Sequence, residues 1–159
     1  IRQLVNDVEW GNLDYLIIDL PPGTGDIQLS LCQNFSISGA VIVSTPQEIS
    51  LLDVRKAINM FKKVNVKIIG LIQNMSYFEN GKNKNYIFGK DGVKKECEKL
   101  NHNFLGEVPM LKEISDSGDT GQPISFKKDK VFKNIFKKIS ENFINSITKI
   151  KNKNVKIES

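Results

Sequence analysis

Short apolar runs that are rich in β-branched residues alternate with helical patterns along most of the chain. The apolar runs cover residues 15–18, 40–43, 66–72 and 104–105. The helical patterns cover residues 27–35, 49–64 and 92–100. Strands buried on both faces and joined through helices are typical of parallel sheets with right-handed crossovers. The sequence therefore predicts an α/β fold, a doubly wound and mainly parallel sheet with helices on both faces.

The composition changes near residue 126. Residues 127–159 hold 10 Lys against 3 acidic residues, whereas residues 1–126 hold 13 Lys and Arg against 15 acidic residues. Apolar side chains recur at helical spacing from Val131 to Ile150, which indicates a long amphipathic helix. We expect residues 1–126 to belong to one domain, 127–150 to form a helix packed on it, and 151–159 to be a disordered basic tail.

Three shorter segments have their own signals. Residues 78–85 read FENGKNKN, a polar run with Asn-Gly that predicts an exposed loop. Thr45 and Pro46 are expected to open the second helix. A short helix is expected after Pro109, with Ile114 as its core residue, before a turn at 119–123.

The basic C-terminal segment admits two interpretations. It could contact anionic lipid or nucleic acid, or it could be the solvated face of a helix that packs on the sheet. No nucleic-acid-binding motif is recognisable, and no apolar run approaches the roughly 18 residues of a membrane span. Two isolated cysteines, Cys32 and Cys97, indicate a reducing compartment. We expect a cytoplasmic or organelle-matrix protein, with membrane association unlikely and no nucleic-acid partner.

The stretch LIIDLPPGTGD, residues 16–26, carries the clearest chemistry. Asp19 would end the first strand, where ligands of open parallel sheets bind, and a carboxylate there suits Mg²⁺ directly or through water. Gly23 and Gly25 would let backbone N–H groups approach a phosphate. Thr24 and Asp26 are candidate caps of the following helix. A capped strand-to-helix turn without a ligand is the alternative.

A complete phosphate site also needs the GxxxxGK[ST] loop. No such string occurs in the 159 residues. The residues alone therefore indicate the metal and γ-phosphate side of a nucleoside-triphosphate site without its phosphate cradle.

Six segments resemble one family in their order along the chain. They read DYLIIDLPPGTGDIQLSL, GAVIVSTPQEISLLDVRKAINMFKKVNV, GLIQNMSYF, IFGKDG, FLGEVPM and SDSGDTGQPI. The chain resembles the Mrp/ApbC-type iron–sulfur cluster carrier ATPases, relatives of the MinD/ParA deviant P-loop ATPases, over about residues 5–125. The resemblance implies a C-terminal portion that lacks the upstream P-loop and is inactive alone.

The resemblance also implies roles for single residues. Asp19 matches the acid that acts on Mg²⁺ through water, and Pro22, Gly23, Thr24 and Gly25 match the turn that senses the γ-phosphate of ATP. Asn74 matches the residue that reads the adenine edge, with a turn-capping role as the alternative. Pro109 matches a position that packs beside the base. Asp53 and Arg55 lie on a helix that matches one near a homodimer interface, and a solvated charge pair is an equal alternative for these two residues.

One departure concerns the iron–sulfur cluster. In the family a CPxC motif follows NMSYF and, with two thiolates from the partner, holds a bridging [4Fe-4S] cluster. Here Asn80 and Asn83 stand at the two cysteine positions. Amides do not replace thiolates as iron ligands, so cluster binding through this motif is in doubt. We expect Cys32 and Cys97 to be buried structural thiols, and His102 to have no metal role.

The function expected from the sequence is that of an ATP-hydrolysing iron–sulfur cluster carrier that acts as a homodimer and delivers clusters to apoproteins. A nucleotide-dependent partner switch without a cluster is one alternative. A membrane-cycling ATPase that uses the basic amphipathic tail is another.

Overall fold

The computed structural model of the chain describes residues 2–21, 23, 25–80, 83–126 and 130–155. The elements follow in the order α1 (Arg2–Asn6), α2 (Asp26–Asn34), β1 (Ala40–Ser44), α3 (Glu48–Lys63), β2 (Ile68–Gln73), β3 (Phe78–Asn80), β4 (Asn83–Asn85), α4 (Gly92–Leu100), β5 (Phe104–Glu107), α5 (Lys112–Asp119), a 3₁₀ turn (Ile124–Phe126) and α6 (Lys130–Val155). Within this part of the chain, no helix is both long and apolar enough to cross a membrane.

A parallel sheet organises the fold. Its strands lie in the order β1-β2-β5, and both pairings are parallel. Helix α3 connects β1 to β2, and α4 lies between β2 and β5 in the chain. Since each crossover passes through a helix, the strands all point the same way and end at one edge. The α/β, mainly parallel architecture predicted from the sequence is confirmed.

Helices α3 and α4 cover one face of this sheet. Their apolar side chains form a buried cluster with β1 and β2, which comprises Ile42, Leu51, Val54, Ile58, Leu71, Val93 and Cys97. Ala57, Phe61, Ile68 and Phe104 pack against its margin. The helix stripe at 3.6-residue spacing therefore supplies the core on this side.

Helix α6 packs on β2 and β5 without entering that cluster. Ile147 is buried, and the side-chain amide of Asn142 donates to the carbonyl of Leu105 over 2.8 Å. At Gly106 a Cβ would lie 2.7 Å from Cγ1 of Ile139, so the close approach of helix and strand depends on glycine there. The helix runs to Val155, past the end predicted at Ile150.

The segment 15–18, predicted as the first strand, has no strand structure. Ile17 is 81% exposed. The ring centres of Tyr15 and Phe143 lie 5.8 Å apart, and this contact joins the segment to α6. β-propensity reflects a fit to a paired surface and does not itself provide a neighbouring strand. In the described ranges the sheet strands pair with one another and not with this run, which therefore stays outside the ladder.

Residues 78–85 also differ from the prediction. The segment expected to be a loop contains an antiparallel hairpin of β3 and β4, in which Asn80 pairs with Asn83 across residues 81 and 82. An isolated parallel bridge between Phe78 and Met110 attaches the hairpin next to β5. A two-residue connection that begins with glycine is a hairpin signal as well as a loop signal, and here the backbone forms the paired alternative.

Smaller corrections concern helix starts and burial. Helix α3 begins at Glu48 after Gln47 at its N-cap, so Pro46 precedes the helix rather than lying in its first turn. In α5 the buried side chain is Ser117, while Ile114 is half-buried. Cys97 is buried as expected, whereas Cys32 is only partly buried.

An ion-pair cluster joins α3 to α4. Arg55 donates from Nε and Nη2 to the two carboxylate oxygens of Glu96 over 2.6 and 2.9 Å, and from Nη1 to Glu48 over 2.8 Å. The side chain of Glu96 is only 6% exposed. The bond from Arg55 holds the pKa of Glu96 below its ordinary value. Asp53 pairs instead with Lys56, so Asp53 and Arg55 are not a pair.

Gly92 and Gly118 give a matched test of packing. A Cβ at Gly92 would overlap the backbone carbonyl of Pro46, whereas nothing lies within 4 Å of one at Gly118. We expect Gly92→Ala to lower the free energy of unfolding by about 1–3 kcal/mol through overpacking. Gly118→Ala should raise it by up to about 1 kcal/mol through helix propensity. Urea denaturation of both variants measures this, and equal effects would contradict the close approach at Gly92.

The pair of Arg55 and Glu96 predicts an acid-dependent loss of stability. Because the folded pKa of Glu96 is lowered, its contribution is complete above the ordinary value of 4.5 and is lost as the pH falls through the folded value. We expect Glu96→Gln to lower the urea midpoint at neutral pH, and the difference from the wild type to shrink below about pH 4. Glu98→Gln on the same helix leaves the pair intact and should retain the wild-type decline. A constant difference at all pH values would contradict this.

Candidate functional site

The carboxyl ends of the three sheet strands meet at one edge, and the loops that follow them are tied together. The N–H of Asn74 donates to the carbonyl of Ser44 over 2.8 Å, which links the end of β2 to the end of β1. The N–H of Val108 donates to the carbonyl of Gln73 over 2.8 Å, and that of Ser76 donates to Val108 over 3.0 Å. These bonds bring the loops of Asn74 and Pro109 side by side.

Asn74 is half-buried in the turn that follows β2. Its Oδ1 accepts the N–H of Met75 over 2.9 Å, and Met75 has a left-handed backbone with φ of 50°. The turn-capping role considered from the sequence is therefore present in the structure. A carbonyl oxygen has a second lone pair, and within the described residues no partner binds Nδ2 of Asn74. The two N–H donors of Nδ2 and one acceptor lone pair of Oδ1 thus remain for a ligand.

Pro109 follows β5 in a fixed and buried position. On one side, Val108 is bonded to Gln73, and on the other, Met110 donates its N–H to the carbonyl of Tyr77 over 2.8 Å. Proline has no N–H of its own, and its apolar ring lies buried at a position determined by these neighbours. The half-buried amide of Asn74 in the adjacent loop is suited to a planar heterocycle that offers both a donor and an acceptor.

Gln73 and Ser76 are not among the functional residues that the sequence predicts, although both are fully buried. The amide of Gln73 donates from Nε2 to Oγ of Ser76 over 2.9 Å and accepts the N–H of Val93 at Oε1 over 3.0 Å. Oγ of Ser76 donates back to the carbonyl of Gln73 over 3.2 Å. The available signal was a glutamine that ends the apolar strand IIGLIQ, because buried polar groups need partners.

Asp19 lies outside any strand and is exposed, so its predicted place at a strand end is wrong for this structure. In the described ranges it has no hydrogen bond or ion pair, and no described contact joins it to Asn74 or Pro109. Without the strand at 15–18, nothing aligns its carboxylate with the sheet edge. Its carboxylate oxygens are free for a hard cation such as Mg²⁺, which keeps several waters beside one or two carboxylates.

The turn after Asp19 is partly described. Gly23 has a φ of +103°, a conformation that favours glycine. Gly25 is the N-cap of α2 with φ of −82° and no side-chain cap, and Asp26 is the first helical residue rather than a cap. The amide of Gln28 closes the turn by donating to the carbonyl of Pro21 over 2.6 Å. Pro22 and Thr24 lie outside the described residues.

The hairpin has asparagines at the two positions that the resemblance assigns to cysteine ligands of the cluster. Asn80 and Asn83 are direct backbone partners. Next to the hairpin, Nζ of Lys84 lies 3.8 Å from the centre of the Tyr77 ring. Across the described ranges, no group of three His, Cys, Asp or Glu side chains is placed to hold a metal ion.

The two cysteine thiols are not poised for metal binding. Burial and the charges of Glu96 and Glu98 raise the pKa of Cys97 to about 11, and its Sγ contacts the carbonyl of Asn103 at 3.7 Å. Burial raises the pKa of Cys32 as well, and thiolates are the form that binds metals. Burial lowers the pKa of His102, which lies before β5 as expected.

Comparison with known proteins identifies the relatives of this chain. The family model described as ParA: NUBPL iron-transfer P-loop NTPase matches residues 1–144. An iron–sulfur cluster transfer protein NUBPL from Mus musculus is 52% identical over 130 residues, which are 80% of this chain and 41% of that protein. The iron–sulfur cluster carrier protein of Pyrococcus furiosus is 44% identical over 153 residues, 95% of this chain and 52% of that protein.

A solved structure agrees with these matches. The nucleotide-binding protein from Archaeoglobus fulgidus in complex with ADP superposes with a TM-score of 0.70 at 38% identity, over 80% of this chain and 54% of that one. The chain thus spans about half the length of the relatives it matches. The resemblance stated from the six sequence segments is confirmed, and the chain belongs to the NUBPL iron-transfer P-loop NTPase family.

Proposed function

We propose that the intact protein carrying this chain is an ATP-hydrolysing iron–sulfur cluster carrier that delivers clusters to apoproteins. The observation that carries the proposal is that hydrogen bonds hold the loops of Asn74 and Pro109 together at the carboxyl edge of a parallel sheet, where ligands of such sheets bind. Named relatives are iron–sulfur cluster carrier and transfer proteins, and the solved relative holds ADP. Both facts support a nucleotide-dependent carrier.

In this proposal the chain contributes the base site and one side of the phosphate site. Asn74 reads the adenine edge beside the ring of Pro109. Pro22, Gly23, Thr24 and Gly25 form the turn at the γ-phosphate, and Asp19 holds a Mg²⁺-bound water. The Mg²⁺ would neutralise developing phosphate charge, and the side chains would mainly position the reactants. The phosphate cradle and a homodimer partner complete the site, in the cytoplasm or an organelle matrix.

A second candidate is a nucleotide-dependent partner switch without a cluster. The asparagines at positions 80 and 83 favour it, since an amide does not supply the thiolate that iron in a cluster requires. The carrier proposal therefore places any cluster on ligands outside the hairpin. Both candidates share ATP hydrolysis and differ in whether iron is bound and transferred.

Asp19 provides the test of ATP hydrolysis. We expect Asp19→Ala in the intact protein to reduce Mg²⁺-dependent hydrolysis by about a hundredfold or more, the effect of removing a group that stabilises transition-state charge. Glu141→Ala removes an exposed acid that pairs with Lys137 on α6, and it should leave the rate within about twofold of the wild type. Steady-state phosphate release measures both. Equal rates for Asp19→Ala and the wild type would contradict the role of Asp19.

Iron content separates the two candidates and tests the hairpin. After anaerobic reconstitution with iron and sulfide, we expect about four iron atoms per dimer in the wild type and the same content in Asn80→Ala/Asn83→Ala. The reason is that amides do not ligate the cluster. Asn80→Cys/Asn83→Cys serves as the positive control for a hairpin that can bind. A wild type that hydrolyses ATP but binds no iron would support the partner switch and contradict the carrier. Loss of iron in the alanine variant would show that the asparagine side chains do contribute to iron binding.

A further inference from the structure

The side chain of Gln73 closes the turn that carries Asn74. It joins residue 73 to Oγ of Ser76 over 2.9 Å, and that hydroxyl returns to the carbonyl of Gln73 over 3.2 Å. Asn74 and Met75 are the two residues enclosed by this ring of hydrogen bonds. Both ends of the turn are therefore anchored on one fully buried amide.

The same amide anchors α4 from outside the helix. Asp91 at the N-cap of α4 is in a left-handed conformation and makes no side-chain cap bond. Oε1 of Gln73 accepts the N–H of Val93 in the first turn instead, which satisfies a helix donor that would otherwise be buried without a partner. The carbonyl of Gln73 also accepts Val108. One residue thus fixes the loop after β2, the start of α4 and the loop of Pro109.

The turn inside this ring fixes the orientation of the Asn74 amide. The N–H of Met75 can donate to Oδ1 but not to an NH₂ group, so the bond between them excludes the flipped amide. Met75 provides this bond from a left-handed backbone, φ 50°, which a non-glycine residue adopts only where its surroundings impose it. The anchors at Gln73 and Ser76 impose it here.

A fixed amide can discriminate between purines. Adenine presents an acceptor at N7 next to a donor at N6, whereas guanine presents acceptors at both N7 and O6. With Nδ2 and Oδ1 held in one order, the amide matches the adenine pattern and faces guanine O6 with an oxygen. A flipped amide would set its NH₂ against adenine N6 and its oxygen against N7, and would lose this match.

We propose that Gln73 is a positioning residue that sets adenine selectivity by locking the turn of Asn74. This rests on the proposed nucleotide site. It assigns the selectivity to a buried residue that does not touch the base and acts through Ser76 and Met75.

The test measures base selectivity in the intact protein with Mg²⁺. ADP and GDP are titrated in competition with a fluorescent ADP analogue. The selectivity ratio, the Kd of GDP divided by the Kd of ADP, is compared between variants. Gln73→Met keeps the length of the side chain and removes both hydrogen bonds that the amide makes, to Ser76 and from Val93. We expect its ADP affinity to fall about tenfold, in proportion to the loss of one to two net hydrogen bonds, with GDP affinity nearly unchanged. Gln73→Glu can accept from Val93 and from the Ser76 hydroxyl, and should recover most of the ratio.

The controls separate positioning from general destabilisation. Asn103→Leu removes a 2.9 Å bond from Nδ2 to the carbonyl of Ile69 at the opposite end of β2, and should lower thermal stability without changing the ratio. Ser76→Ala removes only one anchor and should shift the ratio in the same direction by a smaller factor. It carries the test if Gln73→Met does not fold.

The outcomes distinguish this inference from the function on which it rests. A wild type that binds neither nucleotide would overturn both. Adenine selectivity that is lost in Asn74→Ala but kept in Gln73→Met and Ser76→Ala would overturn the role of Gln73 and leave the nucleotide site intact. If the ratio fell as much in Asn103→Leu as in Gln73→Met, the effect of Gln73 would be one of general stability, and its role as a positioning residue would be overturned.

Discussion

The parallel pairing of β1, β2 and β5 is the constraint on which the rest of the structure depends. Because the strands run the same way, all three end at one edge, and the residues that follow them are adjacent without being close in sequence. The loops of Asn74 and Pro109 are adjacent because their strands end at this edge. Close packing maintains the pairing, since a Cβ at Gly70 would lie 2.6 Å from Cγ of Leu105. The location of the proposed base site is thus a consequence of strand direction and of small residues between the strands.

Buried polar side chains stabilise the loops that the strand pairing brings together. A loop beyond a strand end leaves backbone donors and acceptors without ladder partners, and each would be costly to bury unsatisfied. Gln73 and Ser76 satisfy several of these groups at once, and no buried side-chain N or O atom among the described residues lacks a partner. Arg55 and Glu96 perform a similar role further along α4, where a bidentate ion pair holds it to α3. Helix α4 is therefore fixed by polar bonds at both positions and by Val93 and Cys97 in the core.

The sequence predicts well those features that depend on local pattern. The strands of the sheet and the helices α3 and α4 follow from apolar periodicity, and the family follows from ordered motifs. The sequence fails where the partner is remote. Residues 15–18 have strand composition but no neighbouring strand in the described ranges, and Arg55 finds its carboxylate 41 residues away at Glu96. The role of Gln73 is equally hidden, because a sequence does not show that α4 lacks a side-chain cap.

The structure separates the frame of the base site from the tip of the hairpin. The frame is held by bonds among Gln73, Ser76, Val93 and Val108, and in the described ranges none of those bonds involves β3 or β4. The hairpin is instead held at its base, by the bridge from Phe78 to Met110 and by aromatic contacts of Tyr77 with Lys84 and Tyr86.

That separation gives a physical reason why ligand identity can change without loss of the nucleotide site. Residues 80 and 83 pair at the tip, beyond the aromatic contacts. An exchange of thiols for amides at those two positions therefore alters the chemistry that the tip offers to iron, while the anchors around Asn74 retain all their partners. The bond from Met110 to Tyr77 joins only the base of the hairpin to the loop of Pro109. A chain of this family can then keep the frame of the proposed nucleotide site with or without the hairpin thiolates, because the bonds among Gln73, Ser76, Val93 and Val108 do not involve residues 80 and 83.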